Sequence, residues 1–292
     1  MSDQVRARMM HGSIGALAAA DVAYLSRSMV MEGVLGERDA DDLIAFDQMV
    51  VPHAPEWSAF FVSAIASHIL AGAPADVVDG EKCDWLFDRL APRGRADSPR
   101  LMPLLLRIME GARSVVPRLP AFALMQLRAA IITGEGAALA GRHHPSRMVD
   151  AQDVALIRRI LVAGGGGEGR AISREEAEVL FGIHDATIGA ENAPGFAPLF
   201  ACAIAQHARA ASGHHVAPRG LSLQTGASPG AGRDLADLVA PALLAPEVAA
   251  WLAQRILRDG RMTPALIALR DRLLGPTAPI GESLRALLDR AA

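Results

Sequence analysis

Lysine is nearly missing from this 292-residue chain: Lys82 is the only one among 29 basic residues, and the rest are arginine. Against 32 acidic residues the formal net charge is −3, so there is no positive field to gather phosphates. Aromatic residues make up only 4% and offer few stacking faces, which together with the charge argues against a nucleic-acid partner. Cysteine is limited to Cys83 and Cys202. Two such residues at unrelated positions make no disulfide framework, and the expected compartment is a reducing cytoplasm.

Long apolar runs are lacking as well, and none approaches the ~18 residues of a bilayer-spanning helix. Near the N-terminus Arg6 and Arg8 precede a short apolar piece interrupted by Gly12, Ser13 and Gly15. It reads as a frayed leader to the first helix rather than as a signal peptide. H-E-x-x-H, C-x-x-C and Walker patterns do not occur, and no segment has the β-branched alternation of a strand.

What is present is an apolar composition of 51% arranged with helical spacing, enough to bury a sizeable core. The organising stretch is Ile172 to His207. Ser173 and Glu176 form the S-x-x-E pattern of a capping box, followed by an apolar stripe at Ala177, Leu180, Phe181 and Ile183. A second helix with Phe196, Phe200, Ala203, Ile204 and His207 opens at Pro194. A degraded copy runs from Leu35 to His68, where Trp57, Phe61, Ala64, Ile65 and His68 align with those five residues. Downstream, Trp85 answers Trp251, and Ser98-Pro99 answers Thr263-Pro264, each an N-cap residue before proline.

These correspondences predict an all-α protein of about twelve helices in two pseudo-symmetric lobes from an internal duplication. The first copy spans 18–133, a linker 134–149, and the second copy 150–292. Only 17 positions separate His68 from Trp85, whereas 44 separate His207 from Trp251. The excess, 212–234, is rich in glycine, serine and proline and is expected to be a mobile surface insertion. Residues 235–244 would add a short helix, and Ile280 to Arg290 a last one.

Gly164 to Gly169, GGGGEG, formally satisfies G-x-G-x-x-G, but a dinucleotide fingerprint needs a preceding strand and a βαβ unit. The turn is closer to an EF-hand loop in which Gly169 takes the sixth position and Glu175 the twelfth, that of the bidentate glutamate. Two glycines at ligand positions leave it short of carboxylates, so the loop is not expected to hold calcium. The candidate metal or acid–base residues are His68, Glu175, His184, Asp185 and His207. For His68 and His207 the reading is a buried imidazole hydrogen-bonded across a helix layer. His184 and Asp185 belong to a polar cluster with Glu191 and Asn192, in which Asn192 is expected to cap the helix opening at Pro194. The adjacent pairs His143-His144 and His214-His215 do not imply chelation.

The pairing of ISREEAEVLFGIHDAT with ENAPGFAPLFACAIAQH resembles an uncharacterised, largely proteobacterial family in which such a pattern occurs twice per chain. The resemblance runs from Asp21 to about Leu274. It implies a tandem helical repeat with degenerate EF-hand-like turns and brings no assigned chemistry. Where that family shows Asp-Gly in the turn and Asn-Asp after the first helix, this chain has Glu168-Gly169 and His184-Asp185, which speaks against a bound ion. Helix pairs across a glycine turn followed by S-x-x-E are also similar to TerB-type helical domains, linked to metal-related stress and membrane-associated scaffolding. The functional expectation is a non-catalytic interaction or scaffold protein with a protein partner and no cofactor. The alternative is a metal-binding sensor or metal-dependent enzyme built on the histidines and the degenerate turns.

Overall fold

A computed structural model of the protein describes residues 19–32, 35–48, 55–92, 94, 98–134, 147–224, 244–258 and 261–274. The first half comprises α1 (Ala19–Glu32), α2 (Glu37–Asp47), α3 (Pro55–Ala71), β1 (Val77–Val78), α4 (Gly80–Leu90), α5 (Leu101–Gly111), β2 (Ser114–Val115) and α6 (Arg118–Thr133). The second comprises α7 (Ala151–Ala163), α8 (Arg174–Ala186), α9 (Phe196–Ala211), α10 (Arg219–Gln224), α11 (Pro246–Leu257) and α12 (Pro264–Leu274). The protein is all-α, and no helix among the described residues is long and apolar enough to cross a membrane. The expected leader, His143-His144, most of the linker, residues 225–243 of the insertion region and the helix at Ile280 to Arg290 lie outside the described residues.

Local chemistry explains where the helices begin. At α8, Ser173 Oγ accepts from Glu176 N–H, while the Glu176 carboxylate accepts from Ser173 N–H, the reciprocal box expected from the sequence. At α7, Asp150 and Asp153 make the same exchange. Helix α3 turns Trp57, Phe61 and Ile65 into the core. The indole N–H of Trp57 donates to Asp47 Oδ1 at 2.8 Å, so complete burial leaves no orphaned donor.

Four expectations are corrected. A two-residue parallel ladder, Val77–Val78 against Ser114–Val115, exists where no strand was expected; it is too short to show alternation. Ser98 does not cap a helix starting at Pro99: α5 begins at Leu101, and the Ser98 hydroxyl accepts from Arg100 N–H at 3.3 Å while donating to Asp47 Oδ2 at 2.8 Å. Asn192 is not the cap of α9, whose N-cap is Gly195. Its side chain accepts from Val149 N–H and donates to the Thr187 carbonyl, tying together the loops before α7 and after α8. Finally, the described part of the 212–234 insertion is not a bare surface loop: it contains α10 and buries Arg219 and Leu223.

One hydrophobic cluster runs through both halves, from Val22 in α1 to Leu269 in α12. Helices α5 and α6 of the first half pack on α7 and α8 of the second. The glycine-rich turn sits at this junction. Gly167 N–H donates to the Ala112 carbonyl and Glu168 N–H to the Arg113 carbonyl, both at 3.1 Å, while the Glu168 carboxylate accepts from Arg113 Nη1. A Cβ on Gly164 would lie 2.5 Å from Pro120 Cβ, so the turn's lack of side chains lets α6 and α7 approach.

Candidate functional site

His68 and His207, the aligned histidines, close α3 and α9 in the same way. Nδ1–H of His68 donates to the Leu35 carbonyl at 2.6 Å, and Nδ1–H of His207 donates to the Ile172 carbonyl at 2.8 Å. The two carbonyls belong to the residues that open the two aligned stretches. Each imidazole also packs against the aligned tryptophan, His68 on Trp85 and His207 on Trp251, both with ring centroids 5.3 Å apart. Each indole N–H reaches a carboxylate, Glu37 from Trp85 and Glu178 from Trp251. An arginine follows in each set: Arg89 pairs with Asp41, and Arg255 pairs with Glu178 at 3.2 Å. The His–Trp bracket therefore occurs in both halves, and it is structural in both places: each Nδ1 ties a helix to the start of its partner.

The brackets differ in burial, His207 being buried and His68 only half-buried. Burial pushes the His207 pKa below its ordinary value, against the opposing Ile172 hydrogen bond, and the nearby Arg174 pushes it the same way. The unfolded chain therefore binds more protons at this site than the folded one, and stability is complete above the ordinary histidine pKa of about 6.5 and lost as pH falls below it. Melting between pH 7.5 and pH 5.5 should show a drop that shrinks in His207→Gln. Equal drops in both proteins would assign the acid sensitivity elsewhere.

His184 lies between two oxygens. Its Nδ1–H donates to Asp185 Oδ1 at 3.1 Å, and its Nε2 accepts from the Thr263 hydroxyl at 2.7 Å. A hydroxyl, imidazole and carboxylate in line have the form of a nucleophile relay. Here, however, the Thr263 oxygen accepts Leu266 N–H as the cap of α12, and the imidazole is stacked on Phe200 at 5.2 Å. The first half makes the same tie without a histidine, through Asp47 and Ser98, aligned with His184 and Thr263. Asp185 is further held by Arg258 at 3.3 Å. The sequence motif Gly226 to Gly230, which has the G-x-S-x-G form, lies outside the described residues. The nucleophile it marks requires a strand-to-helix elbow.

Glu175 does not close the glycine-rich turn. It is exposed on the first turn of α8 and lines a cleft between the halves, while the adjacent Glu176 is the carboxylate that turns inward. The cleft has a volume of about 850 Å³. Its floor is apolar, with Phe87 and Phe122 in contact at 4.2 Å, Val179 beside them and Met125 left 46% exposed. Arg118 and Asp88 stand on the first-half rim, Arg174, Glu175 and Glu178 on the second. Arg174 also lies over the Trp251 ring at 3.9 Å, which couples this rim to the His207 bracket.

Sequence reasoning missed Arg219, whose guanidinium is fully hydrogen-bonded. It comes from the insertion and is 2% exposed against a Glu176 that is 0% exposed. Nη1 donates to Glu176 Oε1 at 2.6 Å and the Leu161 carbonyl at 2.8 Å; Nη2 donates to Glu176 Oε2 at 2.8 Å and the Ala171 carbonyl at 2.7 Å; Nε donates to the Arg170 carbonyl. All five guanidinium N–H groups are used. The available signal was the acidic Glu176 after a glycine turn, together with an insertion present in one copy only.

Of the five candidate residues only His184 and Asp185 are brought together: His68 and His207 belong to separate ties, and Glu175 opens to the cleft. Among the described residues no group of three or more histidine, cysteine, aspartate or glutamate side chains converges as a metal site would. No family model, curated protein or solved structure matches the chain.

Proposed function

We propose that this is a non-catalytic helical interaction protein, made of one helical module written twice, whose binding face is the cleft between the halves. The single observation that carries this reading is the apolar cleft lining that leaves Met125 exposed beside charges of both signs. An amphipathic helix of a protein partner suits such a groove, its apolar face on Phe87, Phe122 and Met125 and its flanks meeting Arg118 and Glu175. The histidines, engaged in ties between helices, add no chemistry to that groove. The duplication is supported by the two His–Trp–carboxylate brackets. A reducing compartment, the cytoplasm, fits two buried thiols, of which Cys83 is pushed up to about 12 by burial and so stays protonated.

Met125→Asp should leave stability within about 0.5 kcal/mol, since the side chain is half exposed. It should weaken partner binding by about tenfold or more, as loss of a central apolar anchor does. A photo-crosslinking residue at position 125, compared with one at exposed Gln152, reads this in host cells. One adduct from 125 that is absent from 152 supports the cleft, and identical adducts from both sites sink it. An adduct of twice the chain mass would make the partner a second copy.

A further inference from the structure

We propose that the glycine-rich turn is a guanidinium-binding site filled in cis, with Arg219 as its resident cation and as the latch that holds the insertion onto the junction between the halves. The cage has five acceptors: both oxygens of the buried Glu176 carboxylate and the carbonyls of Leu161, Arg170 and Ala171. The Leu161 carbonyl is one of those left over at the end of α7, because Gly164 N–H takes Ile160 and Gly165 N–H takes Val162. A cation there also meets the negative end of the helix dipole. Residues around Arg219 repeat the attachment: Gln206 Nε2 donates to the Ala217 carbonyl at 2.9 Å, and Cys202 Sγ–H donates to the Ser222 carbonyl at 3.0 Å.

The cage's shape selects the kind of cation. Its oxygens lie 2.6–2.8 Å from the Arg219 Nη atoms. That places them roughly 3.5–4 Å from the guanidinium carbon, since each nitrogen sits about 1.3 Å outward along the fork. A calcium ion at the centre needs oxygens at about 2.3–2.6 Å, so each would have to close in by about 1 Å. The Leu161 carbonyl is fixed by its helix, and Glu176 by its capping box with Ser173. The cage is distinct from the calcium-loop ligand set, since it takes Glu176 in place of Glu175 and shares only the Arg170 carbonyl, and it is sized for a planar fork rather than for a monatomic ion. This inference does not depend on the cleft.

The test is chemical rescue of Arg219→Ala in the full chain. The variant should melt below wild type, and methylguanidinium should raise its melting temperature progressively as its concentration passes its dissociation constant, recovering about 2.7 kcal/mol at a hundredfold excess. Methylammonium and calcium should not, wild type should not respond, and Arg219→Ala combined with Glu176→Gln should not be rescued. If Arg219→Ala fails to fold, refolding yield read with the same three ions carries the same distinction. Unchanged melting of Arg219→Ala, rescue by methylammonium or calcium equal to that by methylguanidinium, or no rescue by any ion overturns the proposal.

Discussion

Glu176→Ala is expected to destabilise the protein by about 3–5 kcal/mol, lowering Tm by on the order of 10 °C, because it leaves the Arg219 guanidinium buried without its counter-charge. Burial of both partners decides the size: Arg219 is 2% exposed and Glu176 0%, so water cannot take over the hydrogen bonds that are lost. The same substitution removes the carboxylate half of the α8 capping box, a further loss of about 1 kcal/mol. The control is Glu175→Ala, one residue away and exposed on the same helix turn, which should change stability by no more than about 0.5 kcal/mol. Thermal and urea melts of the two variants decide the matter; similar losses for both would mean that the ion pair does not hold the insertion. The pair need not be a net gain over apolar packing. Replacing both residues, as Glu176→Leu with Arg219→Met, should recover much of the single-variant loss, since a buried ion pair often breaks even against well-packed hydrophobic residues.

Gly166→Ala should cost about 2–4 kcal/mol, against less than about 0.5 kcal/mol for Gly167→Ala. Gly166 has φ +61°, a left-handed conformation in which a Cβ is strained by about 1–2 kcal/mol. The new Cβ would also sit 2.8 Å from the Arg113 carbonyl oxygen, itself held by Glu168 N–H, so neither partner is a flexible side-chain end that can swing away. A Cβ on Gly167 meets nothing closer than 3.5 Å, an ordinary contact. The pair isolates position from composition, since both are Gly→Ala changes in one turn. Equal melting temperatures for the two variants would show that the turn tolerates a side chain at the junction.

Much of the fold could be read from the residues because the information was local. Helix α12 opens at Pro264 behind its Thr263 cap, as the capping signal predicts. The Ser173–Glu176 capping box was legible for the same reason: both partners lie within one helical turn. Where a side chain had a choice between a local and a distant partner, the sequence misled. Ser98 and Asn192 sit at good capping positions, yet each adds a distant partner to a local one: the Ser98 hydroxyl accepts from Arg100 N–H and donates to Asp47, and the Asn192 amide donates to the Thr187 carbonyl and accepts from Val149 N–H.

The candidate site divides along the same line. That His68 and His207 are alike could be read from the alignment, and both proved to be ties between helices. That Glu175 and Glu176 have opposite fates, one at a cleft and one in a cage, could not, since neighbouring residues on a helix differ by about 100° in direction and only the packing partners say which face is inside. The sequence by itself determined the all-α class and most helix positions, because periodicity and capping act over a few residues. Only the tertiary structure decided that Arg219, from the 212–234 segment, enters the cage beside the glycine-rich turn. That contact joins residues 43 positions apart, and the energy that fixes it, desolvation of a paired charge, exists only once the surrounding core has closed.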